Sequence, residues 1–405
     1  MSADPALIRL PLQAELTRLD TGSAARRVKS PPTDIPVALP LLPRWDELAS
    51  WVQQIDRSRV YTNRGPLGNE LEARLASHYG CLPGSDAVCL TASGTLGLVA
   101  SLLALDLEPG SICALPSWTF VASADAVVAA GLVPYLLDVD LDSWALAPEH
   151  VEAQIANMPQ PPSVIMPVSP FGAPVDVRAW ELFARDSGIA VVIDAAAGFD
   201  SVVASSLPTV VSLHATKTLG VGEGGFVVCT DQRLIKRLRE ITNYGFSSMR
   251  VSHRLGLNAK MSEYHAAIGL AQLEKWRATR RTWLRVARFY RDAFRDHPQI
   301  EYLPGYGEDW IGSTAVFRFI GYSAADVAER LRRYNVDSRR WWHRGINHHP
   351  AFAHTAAAAL DNAECLADEV LGLPCYLTLR TGSMRAIVDA VRKIITPVPR
   401  IESGA

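Results

Sequence analysis

Residues 86–140 read DAVCLTASGTLGLVASLLALDLEPGSICALPSWTFVASADAVVAAGLVPYLLDVD and decide the fold class of this chain. Short apolar runs alternate here with longer ones, which predicts strands over 86–90, 112–115 and 134–139 and helices over 96–105 and 121–130. Strands that alternate with helices at this spacing favour a mostly parallel sheet with helices on both faces. The sequence therefore predicts an α/β fold.

The alternation continues toward residue 230, and the pattern then changes. Further β-branched or apolar runs predict strands over 164–168, 190–193, 210–213 and 226–229. After these come a mainly helical stretch, a strand and two helices, over 261–297, 315–320, 324–334 and 385–395. We expect residues 1–33 to form an N-terminal extension and residues 34–260 a large α/β domain. Residues 261–405 should form a linking helix and a smaller C-terminal α+β domain.

The composition argues against several classes of function. The 405 residues are 48% hydrophobic and 20% charged with a net charge of −2, so the chain can bury a core but lacks the basic excess of nucleic-acid-binding proteins. Its longest apolar stretch is interrupted by Asp125 and Pro134, which favours a buried helix and strand over a membrane span. Without a visible secretory signal or C-x-x-C pair, we expect a cytoplasmic protein that binds neither nucleic acid nor membranes.

Lysine is scarce in this chain, with six residues against 34 arginines, so chemistry that needs a primary amine has few candidates. Lys217 stands out because it follows a predicted strand and precedes the glycine-rich segment GVGEGG at 220–225. Ligands bind at strand ends of parallel sheets, where a lysine can form a Schiff base with a carbonyl cofactor. A surface lysine in a flexible loop is the alternative.

Two further features fit a cofactor with a pyridine ring and a phosphate. Asp194 ends an apolar strand, and a carboxylate beside a pyridine nitrogen keeps that nitrogen protonated. Ser93-Gly94-Thr95 follows a strand and begins a helix, whose free amides and dipole predict an anion site. Each feature has an alternative, because aspartate is a common helix N-cap and such helix starts also occur without a ligand.

Other sites are not supported by the motifs. The segment GVGEGG leads into a predicted strand rather than a helix, which excludes a dinucleotide fingerprint. His343, His348 and His349 lack the spacing of a zinc site, and no G-x-S-x-G elbow is present. We therefore expect no metal.

In order and spacing, the motifs resemble the DegT/StrS family of pyridoxal-phosphate sugar aminotransferases. The resemblance runs from about residue 35 to 395 and is carried by YTNRGPL (61–67), LPSWTFVAS (115–123), PYLLDVD (134–140), SLHATK (212–217) and NAKMSE (258–263). It implies the aspartate aminotransferase fold of type I, the cofactor pyridoxal 5'-phosphate and a homodimer with shared active sites.

The resemblance also implies roles for individual residues. Lys217 would form the Schiff base and move the proton during transamination, and Asp194 would pair with the pyridine nitrogen. The remaining implied cofactor-binding residues are Phe120 and Ala196 on the two ring faces, Gly94, Thr95 and Ser212 at the phosphate, and Lys260 reaching the neighbouring subunit's phosphate.

Two positions depart from the family pattern. Ala197 stands where the family usually has a glutamine or histidine that contacts the phenolic oxygen of the cofactor. Arg64 stands where an apolar or small residue is common, and it is either a contact to a nucleotide phosphate or a plain surface arginine.

The segment around residues 338–352 resembles the family's stretch near the sugar-nucleotide site. We expect Trp341 and Trp342 to stack on a base or sugar ring and Arg340 to pair with the diphosphate, with His348 nearby. With Tyr61 and Arg64 these form the predicted substrate site, and a packed aromatic hairpin is the alternative.

The leading hypothesis is an aminotransferase that moves an amino group from an amino acid, with L-glutamate as first candidate, to a keto group of a nucleotide-linked deoxysugar. The motif variants favour a dTDP-linked 4-keto or 3-keto 6-deoxyhexose. Two alternatives are a dehydratase with the same cofactor, against which Lys217 speaks, and a cofactor-binding regulator without catalysis.

Overall fold

A computed structural model describes residues 35–158, 160–247 and 251–395, so the predicted extension over 1–33 lies outside the described residues. The helices are α1 Trp45–Ser58, α2 Pro66–His78, α3 Gly94–Leu103, α4 Ala122–Ala129, α5 Pro148–Ile155, α6 Val177–Ser187, α7 Gln232–Ile241, α8 Glu263–Glu274, α9 Trp276–Phe294, α10 Ala324–Arg332, α11 Asp361–Glu369 and α12 Thr381–Ile394. The strands are β1 Val88–Thr91, β2 Ile112–Pro116, β3 Val133–Leu137, β4 Val164–Ile165, β5 Ala190–Val191, β6 Ile193–Asp194, β7 Thr209–Ser212, β8 Gly225–Val228, β9 Ile300–Glu301, β10 Ala315–Phe319 and β11 Val370–Leu373.

A mostly parallel sheet supports the site. Strands β3, β2, β4 and β5 are parallel neighbours in that order, and β6 runs parallel to β7. The two halves meet beyond β4, where Val168 forms a parallel bridge with Asp194 and the Ser169 amide donates to the Asp194 carbonyl at 2.8 Å. The predicted parallel α/β sheet is confirmed, and its strand ends converge near Asp194.

One strand runs against the others, which the sequence did not predict. Strand β8 is antiparallel to both β7 and β1, with Ser212 opposite Gly225. The chain between β7 and β8 contains no helix, and a parallel return needs a crossover of a dozen or more residues, usually helical. The loop that carries Lys217 therefore connects β7 to β8 as a hairpin at the carboxyl end of β7.

Both faces of the sheet are buried, as expected for parallel strands. Neighbouring residues along β7 and β8 belong to separate apolar clusters: Val211 and Phe226 to one, Val210 and Val227 to the other. Helices α3, α4 and α7 contribute apolar side chains to the second cluster, whereas α2, α6 and α8 contribute to the first. The alternation follows from the period of two along a strand.

The C-terminal part contains an antiparallel sheet in the order β11, β10, β9. The mainly helical stretch predicted over 261–297 divides at Lys275, whose amide donates to the Gln272 carbonyl at 3.2 Å in a tightened final turn. Trp276 then turns inward and packs edge-on against Phe199, with ring centroids 4.7 Å apart.

The first described residues lie against the C-terminal part rather than the large sheet. The Ile35 amide donates to the Asn335 carbonyl at 3.2 Å, and the Cys375 amide donates to the Val37 carbonyl at 3.0 Å. The described residues belong to one compact unit, so the predicted boundary at 260 remains a prediction. Over the described ranges, no helix has the length and apolar character needed to cross a membrane.

Candidate active site

A cavity of about 530 Å³ opens at the carboxyl ends of the parallel strands. The chain enters its wall after β1 at Ser93–Thr95, after β2 at Phe120, at the end of β6 with Asp194, and after β7 from Ser212 to Lys217. Strand ends of a parallel sheet meet at one edge, so four distant sequence segments share one cavity. The structure thereby brings together Gly94, Thr95, Phe120, Asp194, Ala196, Ser212 and Lys217.

The Asp194 carboxylate is 5% exposed and held by two hydrogen bonds. The Ser123 hydroxyl donates to Oδ2 at 2.7 Å, and the Ala196 amide donates to Oδ1 at 3.0 Å. Burial raises the pKa of Asp194, while the Ser123 and Ala196 hydrogen bonds and the charge of Lys217 oppose that rise. The two hydrogen bonds therefore fix the orientation of the carboxylate, and a cation placed beside it would lower its pKa.

Lys217 lies on a loop closed by backbone hydrogen bonds. Its amide donates to the His214 carbonyl at 2.9 Å, and the Ala215 amide donates to the Gly222 carbonyl at 2.8 Å. Burial lowers the pKa of Lys217, and the Asp194 charge opposes this shift. A lowered pKa leaves more of the amine neutral, which is the form that attacks a carbonyl.

The N-terminus of α3 forms an anion cradle beside Lys217. The Ser93 hydroxyl caps the helix by accepting from the Leu96 amide at 3.1 Å. Within the described part of the chain, the Gly94 and Thr95 amides have no acceptor. A Cβ on Gly94 would lie 2.9 Å from the Ser212 Cβ, so glycine lets this helix end approach β7 closely.

The opposite wall comes from the C-terminal part and is aromatic and basic. Trp342 stacks on Phe171 with centroids 4.0 Å apart and planes 16° apart. The Arg339 guanidinium lies 4.8 Å from the centre of the Trp341 ring, and all four residues line the cavity with Tyr376. This wall presents flat apolar surface and one guanidinium to the space above Lys217.

A sequence profile of the DegT/DnrJ/EryC1/StrS aminotransferase family matches residues 45–392 of the chain. The chain belongs to this family. This match confirms the predicted family and the predicted enzyme class. The protein is therefore an aminotransferase that depends on pyridoxal phosphate.

Related proteins and solved structures are similar to this aminotransferase over most of its length. The dTDP-4-amino-4,6-dideoxy-D-glucose transaminase of Shigella dysenteriae is 29% identical over 370 residues, covering 88% of this chain and 98% of the relative. EryC1 of Saccharopolyspora erythraea, named an erythromycin biosynthesis sensory transduction protein, is 33% identical, covering 76% and 85%. DesI, solved in the presence of its TDP-sugar product, superposes with a TM-score of 0.80 at 28% identity, covering 90% and 93%. DesV of S. venezuelae, solved with a ketimine intermediate, gives 0.77 at 26% identity, covering 89% and 100%.

The cavity of this aminotransferase fits pyridoxal 5'-phosphate. Two free amides at the start of α3, next to Ser212, suit a phosphate group. The buried Asp194 carboxylate suits a protonated pyridine nitrogen, and Lys217 supplies the amine. Ala197 also lines the cavity, and its methyl side chain cannot hydrogen-bond the phenolic oxygen of the cofactor.

Two predicted substrate-binding residues do not line this cavity. Arg340 turns away and donates to the Ala367 carbonyl, while His348 hydrogen-bonds Glu364 at 2.6 Å. The neighbouring Arg339 faces the cavity instead. Adjacent residues in extended backbone point to opposite sides, which is why Arg339 lines the cavity and Arg340 does not. A substrate role for Arg340 and His348 stays a prediction without a place in this cavity.

Three further predicted residues lie outside the cavity of their own chain. Tyr61 stacks with Tyr264, Arg64 pairs with Glu72 at 3.5 Å, and the Lys260 ammonium lies 4.4 Å from the Tyr244 ring centre. A second subunit would be needed to bring them to a site, so their roles stay predictions.

The sequence reasoning missed the residues that support Asp194. Ser123 bonds both Asp194 and the Thr119 hydroxyl, the latter at 3.0 Å. A signal was present, because Ser123 lies in the first turn of a mainly apolar helix and within the stretch LPSWTFVAS. Phe171, Arg339 and Tyr376 had no comparable signal, since only folding brings them to the cavity.

Proposed function

We propose that this aminotransferase moves an amino group from an amino acid, with L-glutamate as first candidate, to the keto carbon of a nucleotide-linked deoxysugar. A dTDP-linked 4-keto or 3-keto 6-deoxyhexose is the preferred acceptor. The observation that carries the proposal is the convergence of the Lys217 amine and the Asp194 carboxylate on one cavity. The names of the Shigella relative and of DesI with its TDP-sugar product support the nucleotide-sugar class.

Pyridoxal 5'-phosphate, when bound, supplies an electron sink for the carbanion at the amino-bearing carbon and carries the amino group between substrates. Asp194, oriented by Ser123 and the Ala196 amide, holds a proton on the pyridine nitrogen. The Lys217 Nζ, with its pKa lowered by burial, takes the proton from the amino-bearing carbon of the donor, and in the second half-reaction it gives a proton to the former keto carbon of the acceptor.

The remaining cofactor contacts follow from the cavity wall. The Gly94 and Thr95 amides with the Ser212 hydroxyl bind the phosphate, and the α3 dipole adds to this attraction. Phe120, 56% exposed in the single chain, and Ala196 pack against the ring and exclude water from it.

The proposal includes a homodimer in which a second subunit completes each site. Lys260 would reach the cofactor phosphate of the neighbour, and Tyr61 and Arg64 would face the neighbour's substrate. The exposure of Tyr61, Tyr244 and Tyr264 supports such a face, because large aromatic side chains are seldom left in water together. A cytoplasmic location is also part of the proposal.

The two alternatives are less well supported. A dehydratase of this fold would not need the lysine, which is present as Lys217. A regulator without catalysis would have no use for Lys217, Asp194 and the anion cradle together, and the comparisons favour transaminases.

The test is a panel of dTDP-, UDP- and GDP-linked keto sugars incubated with the holoenzyme and L-glutamate, with the amine product scored by mass spectrometry. We expect amination of a dTDP-linked 6-deoxy ketone and no product with Lys217→Ala. Amination of only UDP- or GDP-linked ketones would correct the nucleotide. No amine from any ketone, with a cofactor-loaded enzyme, would overturn the proposed function.

A further inference from the structure

Two hydroxyl groups on the C-terminal wall of the cavity have no partner in the protein. They belong to Ser313 and Tyr376, which both line the cavity and are each 8% exposed. Within the described ranges, neither hydroxyl takes part in a hydrogen bond. Both hydroxyls keep some accessible surface, whereas the unpaired Thr218 and Thr314 hydroxyls of the same cavity are sealed inside the protein. Since so little of Ser313 and Tyr376 is exposed, the cavity is the space into which their hydroxyls can bind.

The backbone that carries Tyr376 is fixed from two sides. The Tyr290 hydroxyl donates to the Pro374 carbonyl at 2.8 Å, and the Cys375 amide donates to the Val37 carbonyl at 3.0 Å. Burial raises the pKa of Tyr376, so its phenol is protonated at neutral pH and can donate a hydrogen bond. The phenol is therefore held in place before a substrate arrives.

Ser313 is placed by a close approach of two backbone segments. A Cβ on the preceding residue, Gly312, would lie 2.8 Å from the Phe171 carbonyl oxygen, so glycine allows the chain to pass directly against Phe171. The Phe171 ring in turn stacks on Trp342. Ser313 therefore stands beside the aromatic surface of the C-terminal wall.

Other uncharged polar side chains of the cavity already have partners in the protein. The Ser169 hydroxyl donates to the Ala173 carbonyl at 2.5 Å. The Gln272 side-chain amide donates to the Leu41 and Gly220 carbonyls at 3.3 and 3.2 Å. Buried hydroxyls that reach a binding cavity without such partners are free to bind a polar group of the substrate.

We propose that Tyr376 and Ser313 bind the hydroxyl on the carbon next to the keto carbon of the sugar acceptor. The inference rests on the proposed function, because it assumes a keto sugar as acceptor. Lys217 gives a proton to the former keto carbon, so this carbon and the hydroxyl next to it must lie in the cavity that Lys217 lines. A hydroxyl both donates and accepts a hydrogen bond, so two protein hydroxyls suit a sugar hydroxyl, whereas a carboxylate of the amino acid donor is bound more strongly by a cation.

Such a site should select between acceptors. A site that bonds a substrate hydroxyl rejects the analogue without it, because the polar groups of the site are then left unpaired. In a 4-keto 6-deoxyhexose the hydroxyl in question is on carbon 3. In a 3-keto 6-deoxyhexose it is on carbon 2 or carbon 4, and each is tested in turn.

The experiment compares the acceptor with its counterpart in which hydrogen replaces that hydroxyl. The amino form of the holoenzyme is mixed with each sugar nucleotide, and the return of the original absorbance gives an apparent second-order rate constant. Wild type should prefer the hydroxylated acceptor about 100-fold, at about tenfold for each hydrogen bond. Tyr376→Phe and Ser313→Ala should each reduce this preference to about tenfold, and the double variant should show almost none.

Two controls show that the variants remain folded and loaded with cofactor. The first half-reaction with L-glutamate should proceed at the wild-type rate in all three variants. Tyr302→Phe changes a tyrosine of the C-terminal part that does not line the cavity, and it should leave the preference between acceptors unchanged. A binding measurement removes catalysis from the comparison: the acceptor with its keto group reduced cannot react, and calorimetry should show the same loss of affinity on removal of the neighbouring hydroxyl.

The outcomes separate this inference from the proposed function. A preference that survives in the double variant would overturn the assignment. An equal loss of rate with L-glutamate would show that the two hydroxyls bind the amino acid donor, and the proposal would be wrong. If wild type aminates no keto sugar, the proposed function fails. If wild type aminates both acceptors equally well, only the role of Tyr376 and Ser313 fails.

Discussion

At the scale of single residues, burial acts in opposite directions on the two central groups. It raises the pKa of Asp194 and lowers the pKa of Lys217, so both charged forms are penalised in the chain without cofactor. In the proposed function, a pyridinium beside Asp194 and a covalent bond at the Lys217 amine would relieve these costs. Binding of the cofactor should therefore stabilise the protein.

Cofactor loading should report the lowered pKa of Lys217. Because the neutral amine attacks the aldehyde, the loading rate should fall as pH falls through the Lys217 pKa, with a midpoint below the ordinary lysine value of about 10.4. Stopped-flow absorbance of the apoprotein with pyridoxal phosphate from pH 6 to 11 measures this. Lys217→Ala should not load, whereas Lys236→Ala, on the exposed face of α7, should match wild type. A midpoint at the ordinary value would contradict the burial argument.

Asp194→Asn should separate stability from activity. A carboxyl whose folded-state pKa is raised stabilises the fold as pH drops through that pKa, and its ionised form is a cost at higher pH. The amide lacks this cost and can keep both hydrogen bonds if Ser123 turns its hydroxyl proton toward Thr119. We expect an equal or higher apoprotein Tm at pH 8 and a turnover lower by about 10²- to 10³-fold. A clearly lower Tm would show that the carboxylate itself stabilises the fold.

At the scale of elements, two motif stretches that lie far apart in sequence dock on each other. The Glu263 carboxylate, at the start of α8, accepts from the Leu67 and Gly68 amides at 2.8 and 2.9 Å. The Glu263 amide donates to the Tyr61 carbonyl at 2.9 Å. Glu263, the last residue of NAKMSE, therefore caps α2, which begins within YTNRGPL at Pro66, and fixes the segment that carries Tyr61 and Arg64.

The close approach of α3 to the hairpin of β7 and β8 should be sensitive to a single methyl group. A Cβ on Gly225 would lie 2.7 Å from the Gly94 nitrogen, so Gly225→Ala must shift the helix end that forms the anion cradle. We expect a loss of about 1–3 kcal/mol in the free energy of unfolding and weaker binding of pyridoxal phosphate. Chemical denaturation and cofactor titration measure the two effects.

The matched control for this change is Gly382→Ala. Gly382 lies in the first turn of α12, and a Cβ there has nothing within 4 Å. Alanine should leave cofactor affinity unchanged and stabilise the helix by up to about 1 kcal/mol. If Gly225→Ala behaved like this control, the tight approach would not matter for the cradle.

At the scale of the whole molecule, the cavity needs elements from both ends of the chain. The first described residues pair with the C-terminal part, and residues 38–41 line the cavity together with Arg339 and Tyr376. The large sheet supplies the chemistry and the C-terminal part supplies the opposite wall. Lys260 and Tyr61 do not line this cavity, and in the proposed homodimer they would reach the site of the neighbouring subunit.

Two inactive variants should complement each other if the sites are shared. Lys217→Ala removes the reacting amine from its own chain, and Lys260→Ala removes a contact to the neighbour's phosphate. In a mixed dimer one site holds both alanines and the other is intact, so refolding the two variants together should restore up to about a quarter of wild-type turnover. Each variant refolded alone is the control. No recovery, despite mixed dimers detected by mass spectrometry, would place Lys260 outside the partner's site.

The sequence alone predicts a sheet built from alternating strands and helices. It also singles out Lys217 and Asp194 as functional residues and predicts the anion cradle at the start of α3. These follow from local signals: apolar periodicity, the scarcity of lysine and a Ser-Gly-Thr segment at a helix start. Parallel strand ends meet at one edge by geometry, so residues such as Asp194 and Lys217 were predictable as one site. Only the tertiary structure decided the antiparallel direction of β8, the support of Asp194 by Ser123, and the fact that Arg339 rather than Arg340 lines the cavity. Those outcomes depend on which distant segment packs against each residue, and a one-residue shift in an extended segment reverses the side that a side chain faces.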